Sequence, residues 1–408
     1  MANALILVVD GLGCSCLGPY GNTWIDTPAW NRLAARSLLF ETMLADSGEL
    51  ASIYNGYWHG THRLQAPVIE AMPTLPGLVG QQAATILVTD DRELGDTRGA
   101  QDFEQRVVLP TETMPVEAAS ELEQTELARL FASALTTLEQ AAAPFLLWIH
   151  ARGLCGPWDA PYALRAGFAA EDDPAPPAFV RPPAFRLEPD YDPDTVLGLQ
   201  QAHAAQVATL DTCLDVLLDA FWSGPYADDT LLVVLGSRGY PLGEHHWVGV
   251  DAAPLYAELL QVPALIHWPD GRGSADRMPH LIQPCDVMPT VLRWLDVPLP
   301  ENGIWGRDLT ALVSQSADEL GVWDRAVAGN GAERVIRVPG WCARLCDHSP
   351  PELYVKPDDR WEVNNVADRC HDVVDQLRDI ASQFEQAARE NRRDNLVSLP
   401  EPLFEDWA

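Results

Sequence analysis

Ala4-Leu5-Ile6-Leu7-Val8-Val9-Asp10-Gly11 opens the chain with an unbroken apolar run that ends in a carboxylate and a glycine. No polar residue alternates with the apolar ones, so an extended segment of this composition turns an apolar face both ways. That is the pattern of a strand covered on both sides of a sheet. Ala84-Thr-Ile-Leu-Val88, Phe145-Leu-Leu-Trp-Ile149 and Thr230-Leu-Leu-Val-Val-Leu235 repeat it, each with a turn after it. Between these runs the apolar period changes to that of a helix. In 118–141 the residues Leu122, Leu127, Leu130, Phe131, Leu135 and Leu138 share a face, and in 195–221 so do Val207, Leu210, Leu214, Leu217, Leu218 and Phe221. Alternating buried strands and helices predict an α/β fold, a three-layer sandwich around a mostly parallel sheet.

The stretch 156–195 is rich in proline and acid and reads as a long surface loop inside this domain, because the strand pattern resumes after it. Beyond about residue 325 the pattern changes. Arg334-Val-Ile-Arg-Val338 and Trp341-Cys-Ala-Arg-Leu345 suggest antiparallel strands, and Val374, Leu377, Ile380, Phe384 and Ala388 fall on one face of a final helix. The expected organisation is a core domain over 1–325 and a small α+β subdomain over 326–408.

Fifty-nine acidic against 27 basic residues give a net charge of −32. Such a surface repels phosphate backbones and anionic lipid, which argues against nucleic-acid and membrane partners. No segment reaches the roughly 20 apolar residues of a membrane span. The first apolar run has no basic region ahead of it and ends in an aspartate, so it reads as a core strand and not as a signal peptide, which favours the cytoplasm. The eight cysteines are scattered, without the paired spacing of a zinc site, and are expected as reduced structural thiols.

Asp10-Gly11, Leu17-Gly-Pro-Tyr20-Gly-Asn22 and Thr27-Pro28-Ala-Trp-Asn31-Arg-Leu33-Ala34 follow one another in an order that resembles the start of a sulfatase-family hydrolase of the alkaline-phosphatase superfamily. The likeness continues through Leu242-Gly-Glu-His245, Leu255-Tyr256-Ala-Glu258 and Val262-Pro-Ala-Leu-Ile-His-Trp-Pro269. It extends to Cys285-Asp286-Val-Met-Pro289, Gly306-Arg-Asp308-Leu309 and, in the last quarter, Pro351-Glu-Leu353-Tyr354 with Asn364-Asn365-Val-Ala367. In that family a hard divalent cation, usually calcium, sits among carboxylate and amide oxygens, and a cysteine-derived nucleophile attacks the sulfur. Lysine and histidine side chains neutralise the charge that develops.

The resemblance implies where those groups should stand, and at most of the positions something else does. Asp10 keeps the first metal-ligand position, but Gly11 replaces the second aspartate. The later ligand pair corresponds to Ser237-Arg238, a feeble calcium ligand and a fixed cation. Asp10 is thus the one retained ligand position. No C-x-P-x-R motif occurs in the chain; counting back from Leu50-Ala51-Ser52 puts Asp46 at the nucleophile, followed by Ser47. The lysine and histidine after the second strand become Asp90 and Arg92, and the Pro-His after the third becomes Leu154-Cys155. A buried carboxylate stripped of its metal needs a new partner, so Arg238 is expected to pair with Asp10, and with Asp46 if it reaches.

The sequence therefore predicts a sulfatase-like protein without sulfatase chemistry, acting through binding or regulation. The alternative is a hydrolase of sulfate or phosphate esters with a rebuilt site that uses Asp46, Ser47 or Cys155. No cofactor is expected under the first reading; calcium is the ion to expect if the ligands lie elsewhere. A small sulfated or phosphorylated anion, met by Arg92 and Arg238, is the expected ligand class.

Overall fold

The structure, a computed structural model, describes residues 2–65, 72–110, 117–178, 180–301, 303–314 and 324–404. Its strands are β1 (Asn3–Val9), β2 (Leu38–Leu44), β3 (Ala84–Thr89), β4 (Gln105–Val108), β5 (Phe145–Ala151), β6 (Phe185–Arg186) and β7 (Thr230–Gly236). They continue with β8 (Trp247–Val248), β9 (Gln261–His267), β10 (Arg277–Ile282), β11 (Ala326–Asn330), β12 (Glu333–Val338), β13 (Trp341–Cys346) and β14 (Glu352–Val355). Eight of them form a mixed, mostly parallel sheet in the order β10-β2-β9-β7-β1-β5-β3-β4, and β11–β14 form a four-stranded antiparallel sheet. The α/β class with a C-terminal antiparallel sheet and helix is the one the sequence predicts. No helix among the described residues is long and apolar enough to cross a membrane.

By internal contacts the chain divides into two compact units, one of 1–39, 79–253 and 263–277, the other of 40–78, 254–262 and 278–408. The change of pattern near residue 325 marks where the antiparallel strands begin, and the unit that holds them draws on earlier chain as well. Leu64 lies in one apolar cluster with Ile336, Trp341, Leu353 and Phe384. The Gly329 N–H donates to the Asp46 carbonyl, and the Leu255 N–H donates to Glu333.

In the first unit β4, β3, β5, β1 and β7 run parallel, and β9 pairs antiparallel with β7. All seven residues of β1, β5 and β7 are buried, which accounts for their unbroken apolar composition. The helix Glu126–Gln140 and the 31-residue helix Pro193–Ser223 bury Leu130, Phe131, Leu138, Leu210, Leu214 and Phe221 against Leu5, Leu7, Val9, Leu147 and Ile149. The first of these helices is shorter than the apolar period suggests. Thr125 caps it by accepting the Ala128 N–H, and Leu122 lies in a separate single turn. Asp211, on the long helix, accepts the Ala29 and Trp30 N–H groups at the start of the helix Pro28–Ala34.

The 156–195 segment is mostly loop, with one short helix, Tyr162–Ala166, and the two residues of β6. It is held from within. The fully buried Arg165 donates to the carbonyls of Pro177 and Trp158, and Trp158 N–H donates to Val180. In the second unit the helix His371–Arg389 buries Val374, Leu377, Ile380, Phe384 and Ala388, the face read from the sequence.

Candidate functional site

Strand register builds the site. Val9 stands opposite Gly236 on one side and Ala151 on the other, and Thr89 stands opposite His150. The residues just past the carboxyl ends of β1, β7, β5 and β3 therefore emerge side by side: Asp10, Ser237-Arg238, Arg152 and Asp90-Asp91. The crevice outside the carboxyl ends of parallel strands is where open α/β sheets carry their chemistry.

Asp10 is 2% exposed, and its carboxylate is fully engaged. Arg238 Nε donates to Oδ1 and Nη2 to Oδ2, both at 3.0 Å, and the Ser237 hydroxyl donates to Oδ1 at 2.6 Å. Burial alone would raise this carboxyl, but the Arg238 charge and the Arg238 and Ser237 hydrogen bonds hold it below its ordinary value. Burial likewise opposes the charge on Arg238, and Asp10 more than restores it, so the guanidinium is held more firmly protonated than usual. The pair forms the two-pronged fork that only arginine makes with a carboxylate.

Gly11 has φ +75, and a Cβ there would lie 2.9 Å from the Cys155 nitrogen and 2.9 Å from Leu154 Cβ. Neither the backbone angle nor the space admits an aspartate. The close approach is fixed from the other strand by Gly153, whose absent Cβ would meet the Asp10 carbonyl at 2.4 Å, and by the Leu154 N–H donating to that carbonyl. Cys155 lines this contact. Its thiol is pushed well above its ordinary value by burial and then by the Asp10 charge, the reverse of what activates a thiolate.

A second set of pairs lies beside the first. Asp90 accepts the Arg152 N–H at 2.8 Å, and its other oxygen is 3.5 Å from Arg152 Nε. Asp91 caps the short helix Arg92–Gly95 by accepting the Leu94 N–H, and its second oxygen lies 3.7 Å from His150 Nε2. Burial outweighs the Arg152 charge at Asp90, whose carboxyl is raised. At Asp91 burial is outweighed by His150, and the carboxyl is lowered. Arg92 stands apart from this cluster, with its side chain 81% exposed and ion-paired to Asp96. The sequence motifs point to neither His150 nor Arg152 as a site residue; the signal for both is their position at the end of β5, level with Thr89-Asp90-Asp91.

Asp46 and Ser47 belong to the second unit, just before the helix Leu50–His59. Asp46 is fully buried, Oδ2 accepts the Arg63 N–H at 2.8 Å, and Oδ1 has no hydrogen-bond partner among the described residues. Burial pushes its carboxyl up to about 7 despite that N–H. Ser47 is fully buried and its hydroxyl accepts the Glu49 N–H, a turn contact at the helix start. Three further histidines have structural settings. His245 and His246 form a single turn with left-handed backbone, φ 48 and 61. His203 is buried edge-on to Trp158, its imidazole driven down to about 3 by burial.

Calcium takes six to eight oxygens. Here both Asp10 oxygens are occupied by donors, position 11 has no side chain, and positions 237 and 238 present a hydroxyl turned to Asp10 and a fixed cation. This donor set does not fit such an ion, and among the described residues no three of histidine, cysteine, aspartate and glutamate are grouped to hold a metal.

Residues 83–297 match the sulfatase family model. Human N-sulphoglucosamine sulphohydrolase is 25% identical over 347 residues, covering 77% of this chain and 64% of that relative, so the chain spans a little under two thirds of its length. Among solved structures, the phosphonate monoester hydrolase of Agrobacterium radiobacter superposes with a TM-score of 0.76 at 16% identity over 96% of both chains. BT4656, solved with its substrate D-glucosamine-2-N,6-O-disulfate, superposes with 0.76 at 15% identity over 97% of this chain and 100% of its own. These two likenesses carry the fold, and the family match, which takes in more than half of the residues, carries the lineage: this chain belongs to the sulfatase family of the alkaline-phosphatase superfamily.

Proposed function

We propose that this chain is a sulfatase-family protein that does not cleave sulfate or phosphate esters and acts by binding, without a metal cofactor. One observation carries the reading: the carboxylate at the first metal-ligand position is held on both oxygens by Arg238. In a crevice built for hydrolysis that carboxylate would face a cation that polarises the ester, and its charge would be available. Here the charges at the strand ends cancel within the protein, Asp10 against Arg238 and Asp90 against Arg152, with His150 beside Asp91. The nucleophile position offers Asp46, whose carboxyl is half protonated near neutrality and whose hydrogen bond among the described residues comes from the Arg63 backbone N–H, not from a base that would activate it. A sulfated sugar bound without cleavage is the ligand class supported by the named relatives, which include a sulphoglucosamine sulphohydrolase and a protein solved with a disulfated glucosamine.

The purified protein should contain no stoichiometric calcium and should show no turnover of aryl sulfates, phosphate monoesters or phosphonate monoesters above a buffer blank, with or without added divalent ions. A saturable thermal shift with glucosamine sulfates is the expected positive signal. Turnover abolished by EDTA would overturn the proposal. The unpartnered Asp46 Oδ1 favours one second reading, a metal-free hydrolase that uses Asp46 as acid or nucleophile. Turnover that resists EDTA and disappears in Asp46→Asn would establish it.

A further inference from the structure

A second concentration of charge lies wholly within the other compact unit. Arg307, Arg325 and Arg393 line a small, partly open cavity of about 20 Å³ together with Asp286 and Trp305. Two of the three guanidinium groups have carboxylate partners. Arg325, 3% exposed, forks onto Asp324 at 2.8 and 3.1 Å, and Arg307 Nε lies 3.5 Å from Asp286. The acceptor capacity of Asp286 is largely spent, because it also takes the backbone N–H groups of Gln283 and Arg307.

Among the described residues Arg393 has no such carboxylate within ion-pair distance. Nη2 donates to the Gly306 carbonyl, the guanidinium lies 5.7 Å from the Trp305 ring centre, and the buried Nε has no hydrogen-bond partner among the described residues. The exposed Asp394 is its neighbour in the chain, and the like charge of Arg307 also acts on it. Burial first and the Arg307 charge second leave the guanidinium less firmly protonated than usual. Among the described residues that line the cavity three guanidinium groups stand against one carboxylate, Asp286, with Asp324 forked by Arg325 and the exposed Asp394 beside Arg393, around a space that holds one small species, since about 10–15 Å³ of such volume is enough for a water. A buried N–H donor on an unmatched cation costs free energy until something accepts from it.

We propose that this cavity is a binding site for a small monovalent anion, a halide by size, seated against Arg393 Nε. A space with room for about one water-sized species suits a halide better than a sulfated or phosphorylated ligand. Its occupation stabilises the unit formed by β11–β14 and the helix His371–Arg389, because an anion that binds only the folded state raises stability with the logarithm of its concentration.

The test uses the full chain at constant ionic strength, exchanging sodium gluconate for sodium chloride. The unfolding midpoint should rise with chloride along a saturating binding curve, and crystals soaked in bromide should show an anomalous peak beside Arg393. Arg393→Gln should remove at least nine tenths of the chloride-dependent increment. Equal midpoints in chloride and gluconate, an increment that survives in Arg393→Gln, or no bromide peak in the cavity would each overturn the proposal. The bromide measurement needs no variant, so it decides even if Arg393→Gln does not fold.

Discussion

Replacing Arg238 with alanine should strand the Asp10 carboxylate, and the size of the effect follows from the geometry. Both hydrogen bonds are 3.0 Å long, and the side chains are 15% and 3% exposed. Two unit charges about 4 Å apart interact by about 4 kcal/mol at an effective dielectric constant of about 20. Removing one partner of a buried pair typically costs about 3–5 kcal/mol. A loss of about 3–4 kcal/mol at pH 7.5 is therefore expected. The sign of its pH dependence is fixed as well. In the parent the Asp10 carboxyl is held below its ordinary 3.8, so its stabilising contribution is present above that value and fades as pH falls through the lower folded one. In the variant burial is opposed only by the Ser237 hydrogen bond and the nearby His150, the carboxyl rises, and the penalty shrinks as the buried acid takes up a proton. Urea unfolding followed by tryptophan fluorescence, with the fully buried Trp148 on β5 as a natural reporter, should show a large deficit at pH 7.5 and little at pH 4. Adding Asp10→Asn to Arg238→Ala should recover much of the loss at pH 7.5. A deficit under about 0.5 kcal/mol, or one equal at both pH values, would refute the claim that Arg238 stands in for a cation.

Other perturbations test separate parts of the structure. Gly11→Asp, which restores the family's second ligand in name, should destabilise the protein by about 2 kcal/mol or more and confer no calcium binding by isothermal titration, because the position has neither the backbone angle nor the room. Asp211→Ala removes the acceptor for the Ala29 and Trp30 N–H groups and should cost about 1–2 kcal/mol in urea unfolding, most of it recovered in Asp211→Asn. The Asp46 carboxyl is raised to about 7 in the folded state, so the parent should lose stability as pH rises from about 4 through 7. Asp46→Asn lacks that titration and should gain on the parent by about 1 kcal/mol or more between pH 5 and 8. Arg165→Ala frees the Pro177 and Trp158 carbonyls and should speed limited proteolysis within 167–192 several-fold while cleavage elsewhere stays unchanged.

The strands that form the middle of the sheet were plain in the sequence because they are buried on both faces and carry no competing signal. Others were hidden for physical reasons. β4 is a half-exposed edge of four residues, β2 is interrupted by Glu41 and Thr42, and β9 and β10 each contain a proline. At the site, Asp10, Ser237 and Arg238 could be found because each ends or follows a legible strand. Asp90 could be read as a replaced position, yet its partner Arg152 could not, since only the register between β3 and β5 brings the two together. Arg92 was misleading in the opposite way. It lies two residues from Asp90 in sequence, but as the first residue of a short exposed helix it turns to solvent and Asp96. The partnering of Asp46 with the Arg63 backbone has no sequence signature at all, because an N–H donor is present at almost every residue.

The second compact unit is threaded from three separated stretches, 40–78, 254–262 and 278–408. On the ribosome the first stretch, with Tyr54, Tyr57 and Trp58 on its helix, emerges while its companions are still unsynthesised. At about 5–20 residues per second the gap between residues 78 and 254 lasts on the order of 10–35 s. During that interval the aromatic helix is an orphan exposed to solvent.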